Sequence, residues 1–195
     1  MKRDVKRELD FKASKQPKII ERPERLALML DGQGDPNGDD FKLAIQGMFT
    51  AAYGIKMAYK KAYKKVALTG EMIADMTDYV VPVVPPLQGY WTISESAQKK
   101  RTWEKTDLVY RLELVFPSDI AQPFVEEALK AVIALKQGQI PTVAKVYLGK
   151  IEAGTVGHIL HVGPYDTEPE SFKVLSDYLE QYNLIRTSKN HRQFR

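Results

Sequence analysis

The stretch DGQGDPNGDDFKLAI (residues 31–45) joins two different hydrophobic patterns. Before it, residues 25–32 form a short apolar run that ends at a glycine, which is typical of a β-strand. After it, apolar side chains recur every three or four residues, which predicts a long amphipathic helix. These positions are Phe41, Ile45, Met48, Ala52, Ile55, Tyr59, Ala62 and Val66. The glycines, proline and carboxylates between the two patterns favour a tight turn and a helix N-terminus.

Part of this strand–turn–helix unit recurs near the C-terminus at a single ungapped offset. The matched residues are Gly32, Asp35, Phe41 and Lys42 in the first copy and Gly163, Asp166, Phe172 and Lys173 in the second. The same order of elements in both copies predicts two β-α-β-β halves, about 19–117 and 118–195. We therefore predict an α+β fold in which duplicated β-α-β-β halves share an antiparallel sheet with helices on one face.

Other segments predict the remaining elements. Residues 106–116 (TDLVYRLELVF) form a strand pattern in which Tyr110 and Glu113 point to opposite faces. Residues 79–92 predict an edge or bent strand because prolines interrupt them, and residues 93–105 predict a polar loop. Further strands are expected at about 143–149 and 154–162, with helices beginning near Pro123 and Thr167. Gly47 and Gly54 lie off the apolar seam of the long helix and mark either a close approach or a weak spot.

Composition is typical of one globular domain. The chain has 195 residues, of which 44% are hydrophobic and 28% are charged. The absence of cysteine excludes thiol catalysis, iron–sulfur clusters and cysteine-based zinc sites. No segment has the ~18 consecutive apolar residues of a membrane span, and the N-terminus lacks the apolar stretch of a secretory signal. The sequence predicts a cytoplasmic protein with no membrane partner.

The excess positive charge lies at the N-terminus. Residues 1–18 carry seven basic and three acidic side chains, which equals the whole net charge of +4. Because electrostatic binding to nucleic acid needs a basic face on the folded unit, we interpret residues 1–18 as a basic tail that solubilises the chain or contacts a protein partner. Direct binding to nucleic acid is not expected. The lysines of the long helix form either a phosphate-binding stripe or, more often for such patterns, a solvated face; they are Lys56, Lys60, Lys61, Lys64 and Lys65.

Several catalytic motifs are excluded by their spacing. His158 and His161 form an HxxH pair, but an odd separation on a strand points the two rings to opposite faces. The glycines that follow residue 31 miss the dinucleotide fingerprint because Asn37 stands where its third glycine is required. No serine lies in a GxSxG elbow. The sequence therefore predicts neither a metal site nor a bound cofactor, and His161 is kept as a polar group for a pocket.

Aromatic residues remain as the main candidates for function. The chain has ten tyrosines, seven phenylalanines and two tryptophans. Flat side chains with polar tips can line a cleft for planar apolar molecules, and they can equally well form the core. The two alternatives stay open here because strand alternation does not say which face of the sheet the helices cover.

Three segments resemble the GyrI-like small-molecule-binding proteins, in particular the stand-alone branch that includes cyclopropanoid cyclopropyl hydrolases. The segments are DGQGDPNGDDFKLAI (31–45), VPPLQGYW (84–91) and GHILHVGPYDTEPE (157–170). The resemblance covers most of the chain from about residue 18 onward. It implies the duplicated architecture, with a central groove between the halves that binds drug-like compounds. Some members of this branch hydrolyse the cyclopropane of DNA-alkylating natural products inside an aromatic cage, whereas others only sequester or sense ligands.

The chain departs from the family pattern in three segments. In the segment that usually reads PLEGLWW, Gln88 replaces the glutamate and one aromatic is lost. Tyr110 stands where the third strand normally has a tryptophan. The last strand, usually of the form HxEIYLSD, is represented by HRQFR (191–195), so that Gln193 takes the place of the groove glutamate. Because an amide does not accept a proton from water, the change at Gln193 argues against general-base hydrolysis through that position.

The leading hypothesis is a protein that binds planar, mostly neutral drug-like or xenobiotic molecules in an aromatic groove. The expected ligand-binding residues are Gln88, Tyr90, Trp91, Trp103, Tyr110, His161, Tyr165 and Gln193. In this hypothesis the tyrosines and Trp91 stack on the ligand, Trp103 acts as a lid, and Gln88 and His161 orient the ligand through hydrogen bonds. Neutral ligands are expected to be preferred, because amides stand where the family has acids.

Two alternatives accompany this hypothesis. The first is a hydrolase that opens a strained cyclopropane, with Glu113 or Glu104 as the candidate carboxylate and with the catalytic residues otherwise unassigned. The second is a module that binds a protein partner through the basic tail or the lysine face.

Overall fold

A computed structural model describes residues 2–69, 81–100, 102–118, 120–164, 167–187 and 191–194. Its strands are β1 (Lys2–Arg3), β2 (Lys18–Arg22), β3 (Arg25–Gln33), β4 (Val81–Pro82), β5 (Leu87–Ile93), β6 (Leu108–Val115), β7 (Tyr147–Ile151), β8 (Gly154–His158) and β9 (His191–Phe194). Its helices are α1 (Asp39–Thr69), α2 (Glu95–Lys100), α3 (Gln122–Lys136) and α4 (Glu168–Gln181). Within these residues no helix is both long and apolar enough to cross a bilayer.

The chain divides into two compact units. The first contains residues 1–5, 25–151 and 190–195, and the second contains residues 6–24 and 152–189. These boundaries differ from those of the duplicated halves, and the division into halves at about 19–117 and 118–195 stays a prediction.

The first unit is built on a five-stranded antiparallel sheet in the order β7-β3-β6-β5-β9. β3, β5 and β6 come from the first predicted half, and β7 and β9 come from the second. The register places Gly32, Tyr110, Trp91 and His191 in one row across four strands. The predicted α+β class with an antiparallel sheet is confirmed.

Helices α1 and α3 pack on the sheet face that carries Tyr110. The alternation predicted for β6 is present, because Tyr110, Leu112 and Leu114 are buried in the core below the helices. The largest fully buried side chains of this core are those of Leu28, Leu30, Met48, Ile55, Leu112, Leu114, Val125 and Val143. The sheet therefore has one face covered by helices, and Glu113 lies on the other.

The two glycines of α1 mark close approaches to other elements. A Cβ atom at Gly47 would lie 2.8 Å from the carbonyl carbon of Thr142. A Cβ atom at Gly54 would overlap the side chain of Val132 on α3. Of the two interpretations left open by the sequence, the structure supports the close approach.

Some predicted boundaries are wrong for local reasons. The polar loop at 93–105 contains α2, whose first turn is capped by Ser94: its hydroxyl accepts a hydrogen bond from the backbone N–H of Ala97 at 3.3 Å. The strand expected at 143–149 begins only at Tyr147, because Pro141 opens a 3₁₀ turn that extends to Lys145. The strand expected at 154–162 ends at His158.

The N-terminal segment takes part in the fold as well, since β1 pairs with β4 and Val5 is buried.

The second unit combines a two-stranded antiparallel sheet with α4. β2 pairs with β8 over the full length of both strands, from Lys18 opposite His158 to Arg22 opposite Gly154. Gly157 faces α4, where an added Cβ would lie 3.1 Å from Leu179. This unit contains the second copy of the turn–helix motif.

Candidate functional site

Three aromatic rings meet where α1 begins above the sheet. Phe41, in the first turn of α1, lies with its ring centroid 4.9 Å from that of Tyr110, in an edge-to-face arrangement. Trp91 lies 5.7 Å from both Phe41 and Tyr110. These separations are typical of favourable aromatic pairs. Tyr110 is buried, whereas Phe41 and Trp91 are half-buried, so this aromatic cluster retains accessible ring surface.

Two glycines let the rings of Tyr110 and Trp91 approach the backbone of the sheet closely. A Cβ atom at Gly32, which pairs with Tyr110 across β3 and β6, would overlap the tyrosine ring. A Cβ atom at Gly89, two residues before Trp91 on the same face, would overlap the indole nitrogen. The backbone beneath each ring is therefore open, and any other residue at these positions would push the ring away.

The edge strand β9 adds polar groups on the same face. His191 lies opposite Trp91, and Gln193 lies opposite Gly89. Directly opposed residues of an antiparallel pair share a face of the sheet. The side of the sheet that carries the aromatic cluster thus also carries an imidazole and an uncharged amide.

The opposite face of the sheet carries a buried ion pair. Glu113 is 1% exposed and accepts hydrogen bonds from Arg192 Nε at 2.6 Å and from Arg192 Nη2 at 3.0 Å. The guanidinium also lies 5.5 Å from the ring of Tyr90. Gln88, which is 4% exposed, pairs with Glu113 across β5 and β6. Two hydrogen bonds to one carboxylate make this a strong, directional contact between β6 and β9.

A second polar network on this face joins β3, β6 and β7. Asp31 accepts hydrogen bonds from Arg111 Nε at 2.7 Å and from the hydroxyl of Tyr147 at 2.6 Å. Burial, together with the negative charge of Asp31, raises the pKa of Tyr147 to about 12. The hydrogen bond to Asp31 also raises the pKa of Arg111. Tyr147 therefore stays a neutral donor and Arg111 stays charged at physiological pH.

The structure brings only some of the predicted ligand-binding residues together. Trp91 and Tyr110 are in ring contact, and Gln193 shares their face of the sheet. Gln88 and Tyr90 lie on the other face, because neighbouring residues of β5 alternate.

The remaining predicted residues lie elsewhere in the chain. Trp103 is 56% exposed, just before a short 3₁₀ turn at 105–107. His161 belongs to the second unit. Tyr165 lies outside the described residues.

His161 holds the turn that precedes α4. Its Nε2 lies 3.0 Å from the carbonyl oxygen of Pro164, which can only accept a hydrogen bond. In a neutral ring Nδ1 is then the acceptor for the hydroxyl of Ser171, 2.9 Å away. His158 lies in β8, and His161 lies beyond the end of that strand. Among the described residues, no three His, Cys, Asp or Glu side chains are grouped as a metal site would require.

The sequence analysis missed three residues that contact or lie near the aromatic cluster or the buried ion pair. Phe41 was assigned only to the apolar seam of the helix. Burial raises the pKa of the Tyr110 phenol, and the negative charge of Asp40, the residue before Phe41, raises it further. Arg192 lies in the segment HRQFR, where strand alternation indicates that it points to the face opposite Gln193. The burial of its partner Glu113 has no signature in the sequence.

Comparison with known proteins gives structural neighbours only. The sequence matches no protein-family model and no curated protein. A hydrolase from Listeria innocua is 27% identical, with a TM-score of 0.75 over 98% of this chain and 88% of its own. An uncharacterized conserved protein from Listeria innocua is 26% identical, with the same TM-score and coverage. Another Listeria innocua hydrolase structure is 24% identical, with a TM-score of 0.72 over 98% of this chain and 92% of its own. The chain therefore shares its α+β fold with these proteins along almost its full length.

Proposed function

We propose that this protein binds planar, mostly neutral small molecules on the aromatic cluster of Phe41, Trp91 and Tyr110. The observation that carries the proposal is the half-buried indole of Trp91, which packs closely against the backbone at Gly89 and against two further rings. A ring that is fixed on its inner side and accessible elsewhere offers a stacking surface that loses little conformational entropy on binding. The resemblance to GyrI-like proteins supports drug-like or xenobiotic compounds as the ligand class.

The expected preference for neutral ligands follows from the charges near the cluster. Gln193, on the same face, is an uncharged amide, and the carboxylate of Glu113 lies on the opposite face in a bidentate pair with Arg192. Asp40 is exposed, so solvent screens its attraction for a cation. Gln88 was expected to share this role, but its position on the other face removes it from the cluster. Gln193 is therefore the position at which a new acid would act.

The test uses Trp91 as its own reporter. In a Trp103→Phe background, Trp91 is the one remaining tryptophan, because the chain has two. Phenanthridine, which is neutral at pH 7, should quench its fluorescence more strongly at a given concentration than the cation N-methylphenanthridinium. Calorimetry on the wild type should give the same order of affinities, and Trp91→Leu should weaken phenanthridine binding at least about tenfold, or 1.4 kcal/mol.

Tyr90→Leu is the matched control, since it removes an aromatic ring from the next residue but from the opposite face of the sheet. It should change phenanthridine binding less than about twofold. Equal losses in Trp91→Leu and Tyr90→Leu would contradict the proposed site. A wild-type preference of tenfold or more for the cation would contradict the proposed ligand class, and Gln193→Glu should move the preference toward the cation if the class is right.

A second candidate function is hydrolysis, because two of the structural neighbours are described as hydrolases. In the branch that this chain resembles, the reaction adds water across a strained cyclopropane: the water oxygen bonds to a ring carbon, the C–C bond breaks, and its electron pair is taken up by the conjugated ring, which gains a proton. Of the two carboxylates considered for this step, Glu113 is bound by Arg192 on the other face of the sheet. Glu104 lies at the capping box of the 3₁₀ turn at 105–107.

Because neither Glu113 nor Glu104 makes these contacts with the aromatic cluster, ligand binding is the main proposal. Incubation with a cyclopropane-bearing alkylator, followed by chromatography, tests the alternative. Catalytic turnover that is lost in Trp91→Leu but kept in Glu104→Gln would establish hydrolysis on the cluster. Stoichiometric binding without product would support sequestration.

A further inference from the structure

The outward side of α1 is strongly basic over its C-terminal half. From Phe41 to Thr69 the sequence contains six lysines and no aspartate or glutamate, and residues 56–65 read KMAYKKAYKK. The positive N-terminal end of the helix is balanced by Asp39 and Asp40, about four turns earlier. No acidic side chain within this half of α1 therefore offsets the charge of its lysines.

The fold turns these lysines to solvent. Ile55, Tyr59 and Ala62 are buried against the sheet and α3, so the opposite side of the helix faces outward. Lys60, Lys61 and Lys64 are exposed on that side. In the described part of the chain, none of the three makes an ion pair.

Exposed apolar and aromatic side chains lie among the lysines. Tyr53 is 54% exposed, Met57 is 50% exposed and Tyr63 is 45% exposed. Lys56 lies over the ring of Tyr53, with its Nζ 5.7 Å from the ring centroid. A face that serves only to keep the protein in solution does not need large apolar groups, whereas single-stranded nucleic-acid sites combine cations with rings on which bases stack.

We propose that this lysine face of α1 (Tyr53, Lys56, Met57, Lys60, Lys61, Tyr63 and Lys64) binds the phosphate backbone of nucleic acid without sequence selectivity. The basic face on a folded unit, which electrostatic binding requires and which residues 1–18 alone do not supply, is present here. Lys56, Lys60 and Lys64 follow one another at one-turn intervals of about 6 Å, a spacing that suits successive phosphates. A membrane surface fits less well, because the apolar side that an amphipathic helix would insert is already buried in the core of the protein.

The experiment measures binding of the full chain to a fluorescein-labelled 20-base-pair duplex and to the corresponding single strand by anisotropy. If three phosphates are neutralised, the Kd for the duplex should rise about 40-fold from 50 mM to 200 mM salt. The triple variant Lys60→Glu, Lys61→Glu, Lys64→Glu should weaken binding at 50 mM salt more than about tenfold and flatten the salt dependence. The triple Lys→Gln variant at the same positions repeats the test without adding acids.

The matched control changes Lys99, Lys100 and Lys105 to glutamate, because these lysines are also exposed and give the same change in net charge. Its binding should stay within about threefold of the wild type. Equal losses in both triple variants would show an effect of net charge alone and overturn the proposal. Unchanged binding in the α1 variant would assign the contact to residues 1–18, and binding to phosphatidylserine vesicles but not to DNA would assign the face to a membrane. Either result would overturn the proposal.

Discussion

Gly32 shows how a single missing side chain shapes the candidate site. Its α-carbon lies beneath the ring of Tyr110, and an added methyl group would overlap that ring. Glycine within a strand normally weakens the strand, and here the lost stability is exchanged for close contact between an aromatic ring and the backbone. The two residues pair directly across β3 and β6, so the cluster and the sheet depend on the same position.

We predict that Gly32→Ala lowers the free energy of unfolding by about 1–3 kcal/mol, because Tyr110 has to leave its position or the strands have to separate. Urea unfolding measures the change. Gly138→Ala is the control, since nothing lies within 4 Å of a Cβ atom at Gly138. If both substitutions gave the same small effect, the ring of Tyr110 would not be pressed against the backbone as described.

His158 is expected to make the stability of the protein depend on pH. Its partly buried position in β8 lowers its pKa below the ordinary value of 6.5. The unfolded chain therefore binds a proton at a higher pH than the folded chain does. The stabilising contribution of neutral His158 is complete above pH 6.5 and is lost as the pH falls below 6.5 toward the folded-state pKa.

We predict that the free energy of unfolding falls between pH 7.5 and pH 5.5, and that His158→Gln reduces this fall. The physical reason is that glutamine keeps a polar side chain in β8 but takes up no proton in this range. Urea titrations at a series of pH values measure both slopes. A variant with the same slope as the wild type would assign the pH dependence to other groups.

At the scale of an element, β5 divides its residues between two environments. Trp91 points toward α1 and the aromatic cluster, while Gln88 and Tyr90 point toward Glu113 and Arg192. Strand alternation could be predicted from the sequence, but the expectation that Tyr90 and Trp91 stack on the same ligand did not take it into account, and the structure places the two rings on opposite faces. The covered face could not be predicted, because that depends on which side of the sheet α1 packs against.

The side chain of Arg192, on the short strand β9, crosses the neighbouring strand β5 and reaches Glu113 on β6. We predict that Arg192→Met lowers the free energy of unfolding by about 3–5 kcal/mol, because it leaves a buried carboxylate without its cation. Arg111→Met is the matched control: its pair with Asp31 is largely exposed, at 43% and 52% of the two side chains. Removal of such an exposed pair costs about 1 kcal/mol or less.

Urea unfolding of the two variants compares these costs. Adding Glu113→Gln to Arg192→Met should recover part of the loss, since the double variant no longer buries an unpaired charge. A loss below 1 kcal/mol in Arg192→Met would show that the ion pair does not hold β9 to the sheet.

At the scale of the whole molecule, the first unit gathers both ends of the chain. Residues 1–5 and 190–195 belong to the same compact unit as residues 25–151. Val5 is 1% exposed, so the basic segment at the N-terminus also contributes to the interior. The positive charge of residues 1–18 is separate from that of the lysines of α1. Only the lysines of α1 form a face of a long helix.

The elements whose signals are local could be predicted from the amino-acid sequence alone. The three- and four-residue spacing of apolar side chains specified α1, and the strict alternation from Tyr110 to Glu113 specified β6 with its two faces. The α+β class followed from the order of these patterns. Each is a property of neighbouring residues, because helix and strand periodicity are set by backbone geometry.

The tertiary structure was needed to show which of those faces the helices cover and which side chains meet. Phe41 joins Trp91 because α1 packs on the sheet face that carries Tyr110, and Gln88 is separated from Trp91 because it is buried on the opposite face. Arg192 finds Glu113 because β9 pairs with β5, a contact between residues about eighty apart in sequence. Such pairings depend on packing between distant segments, and no local period in the sequence encodes them.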